Sequence, residues 1–147
     1  MLLPLLAAAA LAASDSTVYP VLNHGRVAGS MIVVRRGDSV TVRYVFTDRN
    51  RGARVETRYI THGDALVHAE SRPVLANNET GEPTTRIDVS ADSLHRVSGS
   101  QTVAEKVQPG MFYTLNATPF DEVRLAKFLL GRPNHEGNVV GSGSAVA

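Results

Sequence analysis

The sequence contains no cysteine. A chain without cysteine has neither a disulfide framework nor a thiolate metal site, so packing and hydrogen bonds must hold it together. For an exported chain of this size, the absence of cysteine suits a bacterial periplasm better than a small secreted animal domain.

The sequence also lacks a charge excess of either sign. Fifteen Lys and Arg residues stand against fourteen Asp and Glu residues, which gives a formal net charge of +1 at pH 7. A charge this small provides no long-range attraction to nucleic acid or to an anionic membrane. We therefore expect no nucleic-acid partner.

No apolar run in the sequence is long enough to span a bilayer. The longest, MLLPLLAAAALAA at residues 1–13, has no charged side chain and closes on the small-x-small pattern Ala10-Leu11-Ala12. We interpret residues 1–12 as a signal peptide, although no Lys or Arg precedes the run; a buried helix or a membrane anchor is the alternative. The mature chain is then expected to be periplasmic or secreted, without stable membrane insertion.

The middle of the chain alternates apolar and polar residues with a period of two, which is typical of half-buried strands. Short turns rich in Gly, Asn and Asp separate these segments, so successive strands are expected to pair antiparallel. Pro20 cannot donate a ladder hydrogen bond, which places its strand at a sheet edge. The predicted strands are 17–22, 29–35, 40–46, 54–59, 65–71, 84–90, 93–98 and 111–115.

One segment near the end carries helix signals. Thr118 fits the N-cap position, with Pro119 first in the helix and Asp121 three residues beyond the cap, and Gly131 ends it. The residues predicted to face the sheet are Phe120, Val123, Ala126, Phe128 and Leu130, and those predicted to face solvent are Asp121, Glu122, Arg124 and Lys127.

These elements predict a mainly β (α+β) fold: a curved antiparallel meander of seven to eight strands, with one C-terminal helix packed on its concave face. The expected organisation is a signal peptide at 1–12, an antiparallel β domain with its helix at 13–133, and a flexible tail at 134–147.

The residues predict no catalytic, cofactor-binding or metal site. The histidines are His24, His62, His68, His95 and His135. They show neither His-x-His nor His-Glu-x-x-His spacing, and we favour surface or half-buried histidines over a metal site built from His62, His68 and His95. No Gly-x-Ser-x-Gly nucleophile elbow is present.

Two carboxylates on consecutive predicted strands, Glu56 and Glu70, have arginines nearby at positions 54, 58 and 72. Cross-strand ion pairs explain this pattern better than an acid–base pair does.

Two stretches resemble the N-terminal region of exported bacterial proteins of the amidohydrolase family. The first is YPVLNHGRVAG at 19–29 followed by VRYVFTDRNRG at 42–52; the second is GMFYTLNATP at 110–119 through AKFLL at 126–130. The resemblance covers residues 18–133. It implies a metal-dependent hydrolase barrel after this region, but the family's metal-site motifs match no residue of this chain, so it implies no site residue and no cofactor here.

Two functions remain open from the sequence. In the first, the chain is a non-catalytic periplasmic β domain that docks on or shapes a hydrolase domain. In the second, it is a stand-alone periplasmic half-barrel that binds a small apolar ligand or a peptide between sheet and helix. We favour the first and do not expect the chain by itself to be an enzyme. A truncated piece of a longer protein and a stand-alone relative are both compatible with the sequence.

Overall fold

A computed structural model describes residues 14–49, 51–107, 110–141 and 144–145. The signal peptide predicted at residues 1–12 lies outside these ranges. The described residues form a mainly β fold with an eight-stranded sheet, a three-stranded sheet and one helix. The elements are β1 (Asp15–Asn23), β2 (Arg26–Arg36), β3 (Ser39–Phe46), β4 (Arg54–His62), β5 (Ala65–Pro73), β6 (Thr85–Val89), β7 (Ser93–Ser98), β8 (Gln101–Lys106), β9 (Met111–Thr114), α1 (Pro119–Leu130), β10 (Asn138–Gly141) and β11 (Ser144–Ala145).

The eight-stranded sheet follows the order of the chain from β1 to β8, and every neighbouring pair is antiparallel. The sheet does not close into a barrel, because β1 and β8 remain its two edges. The predicted antiparallel meander is therefore confirmed, and Pro20 lies in an edge strand as predicted.

The eighth strand of the meander is a different segment from the one predicted. Residues 111–115 were expected to complete it, but β8 does so, and β9 belongs to the small sheet. All six residues of β8 are exposed. An edge strand that buries neither face needs no alternation of apolar residues, and so its sequence carries no strand signal.

The small sheet is built around the helix. Strands β9 and β10 pair in parallel, with Phe112 opposite Val139, and α1 forms the crossover between them. Strand β11 pairs antiparallel with β10. Strands β10 and β11 lie within residues 134–147, where the sequence predicts a flexible tail. The β-branched residues Val139 and Val140 of that stretch suit a strand.

One face of the large sheet, here called the inner face, carries the core. The register places Val33 opposite Val42, and Tyr59 opposite Ala69, which in turn faces Ile87. All five residues are buried. The cluster is completed by Leu66, Leu94, Tyr113, Leu115 and Phe120.

Helix α1 covers the inner face. It begins after Thr118, whose backbone is extended, and the Phe120 ring lies 5.9 Å from the Tyr59 ring, measured between centroids. The predicted position of the helix is thus confirmed. Among the described residues no helix is long and apolar enough to cross a membrane.

The side of α1 that faces the sheet differs from the prediction. Val123, Ala126 and Leu130 were expected to be buried but are exposed, whereas Asp121 and Arg124 point towards the core. At 100° per residue, Phe120, Arg124 and Phe128 share one side of the helix, and Val123, Ala126 and Leu130 share another. The helix therefore has two apolar stripes, and hydrophobic periodicity alone does not say which one packs on the sheet.

Candidate functional site

A buried charged pair joins α1 to the inner face. The side chains of Asp121 and Arg124 are 4% and 15% exposed, and Arg124 Nη1 donates to Asp121 Oδ1 over 3.3 Å. The other oxygen, Asp121 Oδ2, accepts from the backbone N–H groups of Ala117 at 3.1 Å and Thr118 at 3.3 Å. The carboxylate thus caps the helix and neutralises the guanidinium at once.

The Arg124 guanidinium lies against two aromatic rings. Its Cζ is 4.4 Å from the Tyr59 centroid and 5.1 Å from the Phe112 centroid, within the range of cation–π attraction. Arg124 Nη1 also lies 3.5 Å from the carbonyl oxygen of Tyr113. One side chain therefore ties the helix to β4 and to β9.

The Tyr59 phenol is held neutral. Burial raises the pKa of Tyr59 well above its ordinary value near 10, and the negative charge of Asp121 raises it further. The neighbouring Thr118 hydroxyl and the positive charge of Arg124 oppose this rise in pKa. A phenol in this state acts as a packing group and not as a base at neutral pH.

The residues of this junction are engaged with one another. The Arg124 guanidinium is a hydrogen-bond donor only, and the two Asp121 oxygens already accept from two backbone N–H groups and the guanidinium. Sequence reasoning places Asp121 beyond the cap, and the structure confirms that position. It misses Arg124 and Tyr59, whose approach depends on long-range packing.

The opposite, outer face carries a ladder of charged side chains across β3, β4 and β5. Arg43 lies 2.8 Å from Glu56, and Arg72 lies 3.2 Å from Glu70. The expectation of a cross-strand ion pair is confirmed for Glu56, whereas Glu70 pairs with Arg72 two residues along its own strand. The partner of Glu56 is Arg43, which sequence reasoning missed, although Arg43 and Glu56 face each other across a hairpin.

The arginine at position 54 has a different role from the one expected. Arg54 donates to the carbonyl oxygens of Val74 and Leu75 and to Asn78 Oδ1, at 3.1 to 3.3 Å. It therefore holds the loop that follows β5 against the first residue of β4.

A shallow depression of about 220 Å³ opens on the outer face, lined by Thr41, Glu56, Arg58, Glu70, Arg72 and Thr80. Arg58 Nε donates to Ser39 Oγ over 3.4 Å. Side chains of both charges line this depression. It lies on the face opposite the helix, so it is a different place from the site between sheet and helix at which the sequence left an apolar ligand open.

The three histidines that sequence reasoning weighed as a metal site lie apart. His68 Nδ1 is hydrogen-bonded to Asp88 Oδ1 at 2.6 Å. The register places Asp88 between His68 and His95 on three successive strands, and His62 lies at the end of β4. Within the described ranges no group of three or more His, Cys, Asp or Glu side chains is placed to hold a metal ion.

The second apolar stripe of α1, here called the outward stripe, consists of Pro119, Val123, Ala126 and Leu130, all exposed. Val123 is 46% and Leu130 72% exposed. The spacing of four, three and four residues keeps these side chains on one side of the helix, away from the sheet.

Comparisons of the chain with family models, curated proteins and solved structures found no match. The resemblance to the N-terminal region of amidohydrolase-family proteins therefore stays a prediction. Any proposal on function must start from the geometry of α1 and the two faces of the sheet.

Proposed function

We propose that the chain is a non-catalytic β domain, exported to the periplasm or secreted, whose helix α1 docks on a hydrolase domain. The observation that carries the proposal is the pair of apolar stripes on α1. A helix with apolar residues on both sides is typical of a helix that is covered on both sides. The sheet covers one of them, and the outward stripe is available to a partner.

The inner face supports the same proposal. Its polar groups nearest the helix, those of Asp121 and Arg124, bond to the backbone, to each other and against aromatic rings. These contacts hold α1 on the inner face of the sheet. The outward stripe therefore keeps a defined position on the surface.

The proposal expects the reading frame to continue past the Ala147 codon into a hydrolase segment with a His-x-His pair. Expressed as a separate polypeptide, that segment should bind the purified chain. The double substitution Val123→Gln and Leu130→Gln should abolish binding, because it removes the apolar side chains and keeps a residue that favours helix. Glu122→Gln and Lys127→Gln together are the matched control and should leave binding unchanged.

Two results would overturn the proposal. The first is hydrolysis of amide or ester substrates by the purified chain with added zinc, lost on chelation, since the chain would then be an enzyme itself. The second is a combination of two observations: the reading frame stops after the Ala147 codon, and a fatty acid or a hydrophobic peptide raises the melting temperature of the purified chain. Together they favour the apolar-ligand alternative.

A further inference from the structure

The first strand is a free edge of the large sheet within the described part of the chain. It is nine residues long, and apolar side chains stand exposed along it, with Val18 at 62% and Leu22 at 59%. An exposed edge with unpaired backbone groups and apolar side chains is a template for pairing with another strand.

The turn after β1 fixes which backbone groups are free. His24 and Gly25 both have positive φ, of 47° and 76°, as a two-residue type I′ hairpin turn requires. In such a hairpin the flanking pair, Asn23 and Arg26, is hydrogen-bonded. The register shift that follows Val21 adds one residue to β2 and none to β1, so the alternation along β1 continues through it. Odd-numbered residues of β1 therefore bond to β2, and even-numbered residues turn their N–H and C=O groups outwards.

Pro20 agrees with this assignment, because an even-numbered position places its nitrogen, which has no hydrogen, at the free edge. The outward groups are thus the N–H of Ser16, Val18 and Leu22, and the C=O of these residues and of Pro20.

The other edge is built differently. The two-residue turn between Ser98 and Gln101 makes Thr102, Ala104 and Lys106 the outward residues of β8. A lysine on an edge is one of the means by which proteins prevent edge-to-edge pairing. Residues 16–22 of β1 contain no charged side chain.

We propose that β1 pairs antiparallel with β1 of a second copy, around a twofold axis at Val18. In this register Val18 faces its counterpart and Ser16 faces Pro20. Each Val18 N–H then donates to the Val18 carbonyl oxygen of the other copy, and each Ser16 N–H donates to a Pro20 carbonyl oxygen. The Ser16 carbonyl oxygen faces the Pro20 nitrogen, which has no hydrogen, and receives no bond from it. Asp15 faces Val21, so no like charges meet.

A second copy suits the edge because a twofold contact requires a surface that complements itself. In this register Val18 pairs with its own counterpart, Ser16 donates to Pro20, and no like charges face each other. The contact is small beside a standard interface of about 800 Å² per partner, so we expect a dissociation constant on the order of micromolar. The inference concerns β1, and its outcome is independent of docking through α1.

The test is the mass of the exported chain by sedimentation velocity from roughly 1 to 500 μM, a range that brackets the expected constant. The Val18→Pro variant removes an N–H that β2 does not use, so it should fold as an edge strand with two prolines and stay monomeric. Ala104→Pro makes the same change on the other edge and should dimerise like the unaltered chain. Circular dichroism reports whether each variant is folded.

A second variant, Val18→Lys, keeps the backbone N–H and places two lysines face to face at the axis; it should also be monomeric. The inference is overturned if the unaltered chain is monomeric throughout the range, if Val18→Lys or folded Val18→Pro still dimerises, or if Ala104→Pro is the variant that dissociates. Growth into assemblies larger than a dimer would also overturn it, because a twofold contact closes.

Discussion

Arg124 connects three elements through one side chain, by its contacts with Asp121, Tyr59 and Phe112. Replacing Arg124 with Met keeps the length of the side chain but leaves the Asp121 carboxylate buried without a counter-charge. We expect the free energy of unfolding to fall by about 2–4 kcal/mol, since breaking a buried pair from one side is costly. Urea denaturation followed by circular dichroism measures it.

The matched control is Lys127→Met, on the exposed side of the same helix. It should change the free energy of unfolding by less than about 0.5 kcal/mol, as surface substitutions usually do. Equal losses for the two variants would show that Arg124 contributes nothing specific.

The raised pKa of Tyr59 should make the free energy of unfolding depend on pH in the alkaline range. Because its pKa is raised in the folded chain, the unfolded chain loses this proton first as the pH rises past about 10. The folded state keeps the proton, so the stability contributed by Tyr59 is complete below that pH and is lost above it. The Tyr59→Phe variant should lose less stability between pH 7 and about pH 11 than the unaltered chain. Identical pH dependence of urea denaturation in both chains would contradict this account.

At the scale of elements, the two sides of α1 should respond differently to substitution. Phe120→Ala removes a ring from the core and should cost about 3–4 kcal/mol. The double substitution Val123→Gln and Leu130→Gln should cost less than about 1 kcal/mol in the isolated chain, because both side chains are exposed. A loss from the double variant as large as that from Phe120→Ala would mean that the outward stripe is part of the core.

In this chain, sequence patterns predict where strands and the helix lie better than they predict which side of the helix packs on the sheet. Alternation locates the inner strands such as β3, where Val42 is buried, and cap residues locate α1. The side of α1 that packs inwards depends on Tyr59, which is 61 residues away from Phe120 along the chain. Alternation of apolar and polar residues does not predict strand β8, because none of its residues is buried.

At the scale of the molecule, the exposed surfaces of the described residues include the charged outer face, the edge of β1 and the outward stripe. On the outer face, the sequence predicts that the two glutamates pair with arginines, but it misses Arg43, which the hairpin register places opposite Glu56. The residues of the outward stripe were assigned to the core. The outward stripe, on which the proposed docking rests, is therefore a feature of the fold that the sequence pattern did not predict.

Thiol labelling tests the docking account most directly. The chain has no cysteine, so Ala126→Cys introduces its single thiol, at the centre of the outward stripe. We expect rapid reaction with a thiol reagent in the isolated chain and slow reaction when the proposed hydrolase partner is bound or attached. Thr102→Cys, on exposed β8, should react rapidly in both. Equally rapid labelling of Ala126→Cys in both would contradict the account.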